Sequence, residues 1–510
     1  MITAGPRSLQ PTATFDEASY VFVINPYGGR WQTPGMTLFM ETAQATLRRS
    51  RPAFSRELIA TLRLAAPIAL TQLGQIAMMT TDLALIGRLG DAPVAAAALA
   101  HTIFFVGFTL GMGLVSAVAP LAAQAFGAGQ PHLVRQSLHA GLWATILISV
   151  PMLALPLYGD PILRALGQSP ATAHQAQQYL FGLAWGIGPG LAFLAIRGFM
   201  GAVNRPQPGL WIMLAAIPAN AALVYLLIHG VGGLPQLGLL GAGLGTSLIN
   251  GAMLLAALWV ARQRAPFRQF EVLKHFHRID GELMRQLFAI GAPIAVAFLL
   301  EYGVFGAAGL LMGLISTTAL AAHQVALQVA AILFMVPFGI GMAATVRVGH
   351  AAGRGDAPAA RHAGIAATML GVLFMSLMTL IILATRFAIA HAFFGQGGDD
   401  EIIDLTATLL VVGSSFFVAD GIQTIVSGAL RGLSDTRLPL LFAAISYWLI
   451  GFATAWGLAF PGRFGAIGVW IGLSCGTAVY ALLLLLRFQW LSRRAIRSRL
   501  DRVAVVSPPP

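Results

Sequence analysis

Residues 64–90, LAAPIALTQLGQIAMMTTDLALIGRLG, recur in altered form 226 residues further along the chain. API at 66–68 falls on API at 292–294, and Gly87 falls on Gly313. The same interval carries GAGQ (127–130) onto GRGD (353–356), and both copies continue to an arginine, Arg135 and Arg361. Later segments match at slightly different offsets. Gly201 and Pro208 pair with Gly432 and Pro439, and GAGLG (241–245) pairs with GAIGV (465–469). The chain is therefore two tandem copies of one unit, and a repeat on this scale restricts the possible folds more than any short motif does.

The repeated unit is apolar. The 510 residues are 57% hydrophobic and 10% charged, with a mean hydropathy of +0.77, whereas a soluble domain is about 25% charged. Apolar runs long enough to cross a bilayer recur throughout, which predicts an all-α polytopic membrane protein. Twelve transmembrane spans are expected, at roughly 62–87, 95–119, 137–158, 176–200, 209–230, 239–261, 286–312, 318–345, 361–385, 403–429, 438–459 and 465–490. Between them, Arg and Lys collect in alternate loops. Arg135, Arg197, Arg205, Arg347, Arg354, Arg431, Arg437 and the run 262–285 fall on one side, and only Arg88, Arg164, Arg386 and Arg463 on the other. The basic side is cytoplasmic by the positive-inside rule, so both termini are expected inside. The net charge of +12 thus reports topology, and no nucleic-acid partner is expected.

Six spans per copy, each copy starting on the same side, make a parallel repeat. Two six-helix lobes related by an axis along the membrane normal would then enclose a central cavity. The expected organisation is a disordered N-terminal extension (1–45), an N-lobe (46–261), a cytoplasmic linker (262–285) reading as a basic interfacial helix, a C-lobe (286–490) and a cytoplasmic tail (491–510). The protein is expected to be a monomer in a bacterial inner membrane.

Three acids lie inside apolar runs: Asp82 in span 1, Glu301 in span 7 and Asp420 in span 10. A carboxylate at the bilayer centre costs ~2.5–3.5 kcal/mol on insertion scales, so such a group faces the interior or water and marks a candidate ion or substrate site. The repeat does not duplicate them, because Asp82 maps to Ala308 and Glu301 to Gln75. Polar residues cluster nearby. Gln72 and Gln75 share span 1 with Asp82; Asn220 and Thr246 lie in spans 5 and 6. Tyr302 adjoins Glu301, His323 and Gln324 open span 8, and Gln423 follows Asp420 by one turn. Each alone is more simply a helix–helix hydrogen bond worth ~0.6 kcal/mol. Prolines 67, 189, 218, 293 and 337 interrupt spans, as bent helices near a cavity do. No GxxxxGK[ST], HExxH or GxSxG occurs, and Cys475 is the single cysteine. Neither an enzyme nor a cofactor is expected.

Four stretches resemble the multidrug and toxic compound extrusion (MATE) transporters, in their bacterial NorM-like branch. They are the segment 64–90 with Asp82, QAFGAGQ, GAPIAVAFLLEYGVFG with Glu301, and FVADGIQTIVSGALRGLSDTRLP with Asp420. The resemblance covers roughly residues 55–490. It implies cation-coupled antiport, H+ or Na+ entering as organic, often cationic, compounds leave, with Glu301, Asp420 and Asp82 carrying the coupling. It also implies an N-lobe site in which Asp82 meets Asn220 and Thr246. There the chain departs from the pattern, because Val224 stands where the family places a second acid, which favours the C-lobe pair. The rival reading is a lipid-linked oligosaccharide flippase of the same superfamily. A flippase needs basic residues in its cavity for a pyrophosphate, and on the span boundaries above none lies mid-span.

Overall fold

The computed structural model describes residues 34–506 apart from 155–157, 231–232, 234, 279 and 396–398, with side chains described between 54 and 494. The chain divides into two compact units, Met1–Ala53 and Phe54–Pro510, and every side-chain contact below lies in the second. Most of the extension expected to be disordered, residues 1–33, lies outside the described residues, and from Pro34 onward the chain is helical.

The described residues form helices joined by turns and short irregular segments, with no strand among them. In order they form α1 (Pro34–Gly87), α2 (Asp91–Val115), α3 (Val118–Gly127), α4 (Pro131–Met152), α5 (Gly159–Ala165), α6 (Pro170–Ala184), α7 (Ile187–Ala202), α8 (Gln207–His229) and α9 (Gly238–Gln263). The second half follows with α10 (Gly281–Ile315), α11 (Thr317–Gly353), α12 (Ala357–Phe394), α13 (Asp400–Gly432), α14 (Arg437–Ala443), a π-helical segment (Ala444–Phe452), α15 (Ala453–Ala459) and α16 (Gly465–Val506). Among the described residues, nine segments are long and apolar enough to cross a membrane, or ten if α6 and α7 are one span bent by 43°. That bend falls at Trp185 and Gly186, just before Pro189, which has no N–H to continue the ladder. This is an all-α polytopic membrane protein.

Helix ends follow local chemistry. Ser316 stops α10 and caps α11, its Oγ accepting from Ala319 N at 2.9 Å. Asp280 caps α10 by accepting from the amides of Glu282 and Leu283, both at 3.1 Å. Gly230 closes α8 in the left-handed region at φ 70°.

Packing within each half of the sequence is extensive. In the second half α13 is central, lying against α11, α12 and α16; in the first, α9 lies against α6, α7 and α8. Between the halves, α2 packs on α10 and α3 on α11. The α3–α11 crossing is as close as backbones allow. A Cβ placed on Gly127 would sit 2.3 Å from the carbonyl oxygen of His350. Small residues permit such approaches where no hydrophobic force draws membrane helices together.

Polar bonds between the halves gather at this same end. Arg347 on α11 makes a two-pronged ion pair with Glu57 on α1, at 2.8 and 2.5 Å. Gln124 on α3 donates to the Gly432 carbonyl and to Ser434 Oγ, both at 2.9 Å. His350 Nε2 donates to the Ala202 carbonyl at 2.6 Å. All these residues flank the basic loops.

The linker corrects an expectation. Instead of one interfacial helix, residues 264–280 form a short 3-10 turn, Phe267–Phe270, followed by further turns. Its aromatic residues are anchors and not a membrane-facing stripe. Phe267 and Phe270 are buried against Phe199, with ring centroids 5.9 and 5.6 Å apart. His139 and Trp143 on α4 donate to the carbonyls of Val272 (2.6 Å) and Phe276 (2.8 Å), and Trp143 stacks on Phe276. These bonds give carbonyls of the turn segment partners that a helix would otherwise supply.

Candidate functional site

The acids form two separate centres. In the first, Asp82 lies near the end of α1 and is buried. One carboxylate oxygen accepts from Asn220 Nδ2 on α8, and the other accepts from Thr246 Oγ1 on α9 at 3.0 Å. Thr246 also lies 3.1 Å from the Ala242 carbonyl, and with one hydroxyl hydrogen it serves one acceptor at a time. Asn220 Oδ1 has no partner. Tyr179, also buried, is within electrostatic range of the acid. Val224, one turn beyond Asn220, is fully buried. The three residues that the sequence grouped are thus brought together around one carboxylate, with neutral donors and no cation.

The second centre joins two acids. Glu301 projects from α10 and Asp420 from α13, and Gln423, one turn after Asp420, reaches both. Its Nε2 lies 3.0 Å from Glu301 Oε1, 3.0 Å from Asp420 Oδ1 and 3.0 Å from Thr424 Oγ1. An amide nitrogen has two hydrogens, so three acceptors compete for them. Two phenols complete the surround. Tyr447 comes from the π-helical segment and Tyr480 from α16; both are buried, with rings 5.1 Å apart and within electrostatic range of Glu301. The π segment widens the helix by one residue, a distortion frequent at functional sites. Carboxylate, amide and hydroxyl oxygens at one point suit a proton or a hard cation. Among the described residues no group of three or more His, Cys, Asp or Glu could hold a metal ion.

Several other candidates are not gathered into either centre. Gln72 is buried with its Oε1 unpaired, while Gln75 and Gln324 are exposed. Tyr302 packs on Phe105, with ring centroids 4.8 Å apart. His323 is fully buried edge-on to Trp470, and neither ring nitrogen has a partner.

Two arginines correct the loop assignment. Arg197 sits inside α7, 7% exposed, with its Nε unpaired and its guanidinium 6.0 Å from the Phe193 ring. Arg431 lies in the last turn of α13, with its guanidinium 4.8 Å from the Phe298 ring and within electrostatic range of Glu301. Arg197 falls within the expected span 176–200 although it was counted with the basic loops, and α13 runs past its expected end at 429 to Gly432, which draws Arg431 out of the loop. Tyr447, Tyr480, Thr424 and Arg431 are the members of the second centre that sequence reasoning missed. The readable signal was slight: two tyrosines, Tyr447 and Tyr480, inside the apolar spans 438–459 and 465–490.

The MatE family model matches residues 67–226 and again residues 293–456, so the two matches begin 226 residues apart, the interval of the internal repeat. A probable multidrug resistance protein NorM of Bradyrhizobium diazoefficiens is 62% identical over 441 residues, covering 86% of this chain and 95% of the relative. The multidrug resistance protein NorM of Burkholderia vietnamiensis is 40% identical over 444 residues, covering 86% and 95%. Among solved structures, the eukaryotic MATE transporter AtDTX14 superposes with a TM-score of 0.77 at 23% identity, covering 88% of this chain and 99% of that one. The Vibrio cholerae MATE transporter VcmN gives 0.78 at 20% identity, covering 87% and 98%. With both halves matched and relatives aligned over most of their length, the chain belongs to the MatE family of secondary active transporters, which are not enzymes.

Proposed function

We propose that the chain is a cation-coupled antiporter, driven by H+ or Na+, that exports organic, often cationic, compounds by alternating access across a bacterial inner membrane. The observation that carries this reading is the Glu301–Gln423–Asp420 centre, two carboxylates from facing helices joined by one amide inside an apolar span. The names of the NorM relatives point the same way. Adding α1 and α4 to the ten apolar spans supports twelve crossings in two six-helix lobes; the alternation of basic loops supports cytoplasmic termini, and the chain is read as working as a monomer.

The mechanism follows from competition for the acids. An ionised pair attracts a cationic cargo, while a proton or Na+ entering from outside occupies the same oxygens and releases it. Because a ligand equally suited to both conformations shifts nothing, cargo and coupling ion must favour opposite-facing states. One charge crossing 100 mV supplies ~2.3 kcal/mol toward that exchange. In this reading the bonds at the basic-loop end, Glu57–Arg347 and His350–Ala202, hold the cytoplasmic mouth closed. Coupling is placed at Glu301 and Asp420, with Asp82, Asn220 and Thr246 as a second, cation-responsive centre. In this reading Gln75, Tyr302 and Gln324, which are exposed, line the cargo path, whereas the buried Gln72 and His323 do not.

The test is efflux of a fluorescent cation from proteoliposomes under an imposed pH or Na+ gradient, in wild type and in Glu301→Gln, Asp420→Asn and Asp82→Asn. A flippase for lipid-linked oligosaccharides is the second reading. It is favoured by Arg197, a buried guanidinium with no acid partner that a pyrophosphate would satisfy. Translocation of a fluorescent lipid-pyrophosphate sugar by wild type, lost in Arg197→Gln, would select it.

A further inference from the structure

A transporter that binds cations at two carboxylates meets a problem of valence. Two ionised acids present a charge of −2, which favours a dication over a monocation. This inference rests on the proposed antiporter reading and concerns how the Glu301–Asp420 centre chooses its cargo charge.

Arg431 stands on the cytoplasmic side of that centre. It is on α13, like Asp420 and Gln423, and follows Gln423 by eight residues, so it lies about two turns further along the same helix face. Helical side chains lean toward the N-terminus of their own helix, which aims Arg431 back toward Gln423. On the facing helix, Phe298 precedes Glu301 by three residues, one turn away on the same face. The Arg431 guanidinium sits 4.8 Å from the Phe298 ring, so the two helices place it one level below Glu301. The residue is partly buried, and no carboxylate reaches it at ion-pair distance among the described residues. Its charge is felt at Glu301 and at Tyr480. Tyr447 and Tyr480 are the other ionisable groups facing the pair, and as phenols they add no charge at neutral pH.

We propose that Arg431 sets the valence of the cargo. As a fixed positive charge held on Phe298, it reduces the ionised Glu301–Asp420 centre from −2 to −1, and so matches it to one monovalent cation. A cation–π contact suits this task, since it holds the guanidinium in place without neutralising it. A direct ion pair would instead consume one of the carboxylates that the cargo and the coupling ion need.

The consequence is a change in a ratio. For charges roughly 10 Å apart at an effective dielectric of about 20, one fixed charge changes binding by about tenfold per unit of cargo charge. Removing Arg431 should therefore strengthen a monocation once and a dication twice over, raising the dication-to-monocation affinity ratio by about tenfold.

The experiment is equilibrium binding of tetraphenylphosphonium (one charge) and methyl viologen (two charges) to the purified full-length protein, at alkaline pH to limit competing protons. Arg431→Gln should raise the methyl viologen preference about tenfold, and Arg431→Lys should leave it near wild type. Glu301→Gln, which lowers the charge of the centre to about zero, should reduce the preference. The double variant Glu301→Gln with Arg431→Gln returns the centre to −1 and should restore the wild-type ratio. Binding needs no coupling, so loss of transport in these variants does not disturb the readout. If Arg431→Gln does not fold, the Lys and Glu301→Gln arms still decide the matter. A ratio unchanged within twofold in Arg431→Gln, or in Glu301→Gln, would overturn the valence role while leaving the antiporter reading intact. Wild type that binds neither cation would overturn the antiporter reading itself.

Discussion

Replacing Glu57 by Gln should loosen the basic-loop end of the protein. The Glu57–Arg347 pair joins α1 to α11 with two short hydrogen bonds, and its side chains are 20% and 25% exposed. An exposed pair contributes about 0–1 kcal/mol, while breaking a buried one costs about 3–5 kcal/mol. At this intermediate exposure the loss should be about 1–2 kcal/mol, which is roughly a 5–30-fold shift between closed and open mouths. The assay uses a reporter cysteine at Val348, which is fully buried at this crossing, in a background where Cys475 is replaced by Ala. The rate of labelling by a membrane-impermeant maleimide reports opening. Glu57→Gln should speed labelling about 5–30-fold, and Arg347→Glu combined with Glu57→Arg should slow it again. Labelling within twofold of the parent in Glu57→Gln would refute the idea that this pair holds the mouth shut.

Three further outcomes are expected. Gln423→Leu should abolish gradient-driven transport yet leave insertion intact, because both carboxylates lose their shared donor and each charge-assisted bond is worth about 1.5–3 kcal/mol; transport at wild-type rate would contradict a bridging role. Gly127→Ala should lower the melting temperature and slow transport, since its Cβ would be forced to 2.3 Å from the His350 carbonyl and the helices must part; an unchanged thermal melt would show that the crossing yields freely. Trp143→Ala removes both a stack on Phe276 and a bond to its carbonyl. It should expose the 264–280 segment to limited proteolysis, and equal cleavage rates would argue that Phe267 and Phe270 hold the linker unaided.

The sequence made the helical class and the duplication plain, because apolar runs and a 226-residue interval are properties of the chain itself. Asp82, Glu301 and Asp420 were legible for a similar reason: an acid in an apolar run is costly enough to need a purpose. Asn220, Thr246 and Gln423 then fell where those acids needed donors. Arg431 was misplaced because a glycine follows it and the stretch to Pro439 reads as loop while α13 in fact continues to Gly432, and Arg197 was counted with the basic loops although it falls within the expected span 176–200. Tyr447 depends on a π-helical widening that no periodicity announces. The linker was misread because a basic amphipathic stretch suits a membrane surface as well as a protein groove. Only the donors His139 and Trp143, far away in sequence, decide between them.

The central claim, that the Glu301–Asp420 pair couples ion entry to cation export, is tested most directly by gradient-driven efflux from proteoliposomes. Wild type should expel a fluorescent cation when a pH or Na+ gradient is imposed, and Glu301→Gln and Asp420→Asn should each lose that response while Asp82→Asn retains part of it. Efflux that persists in both C-terminal variants and vanishes only in Asp82→Asn would move the coupling to the first centre and contradict the account.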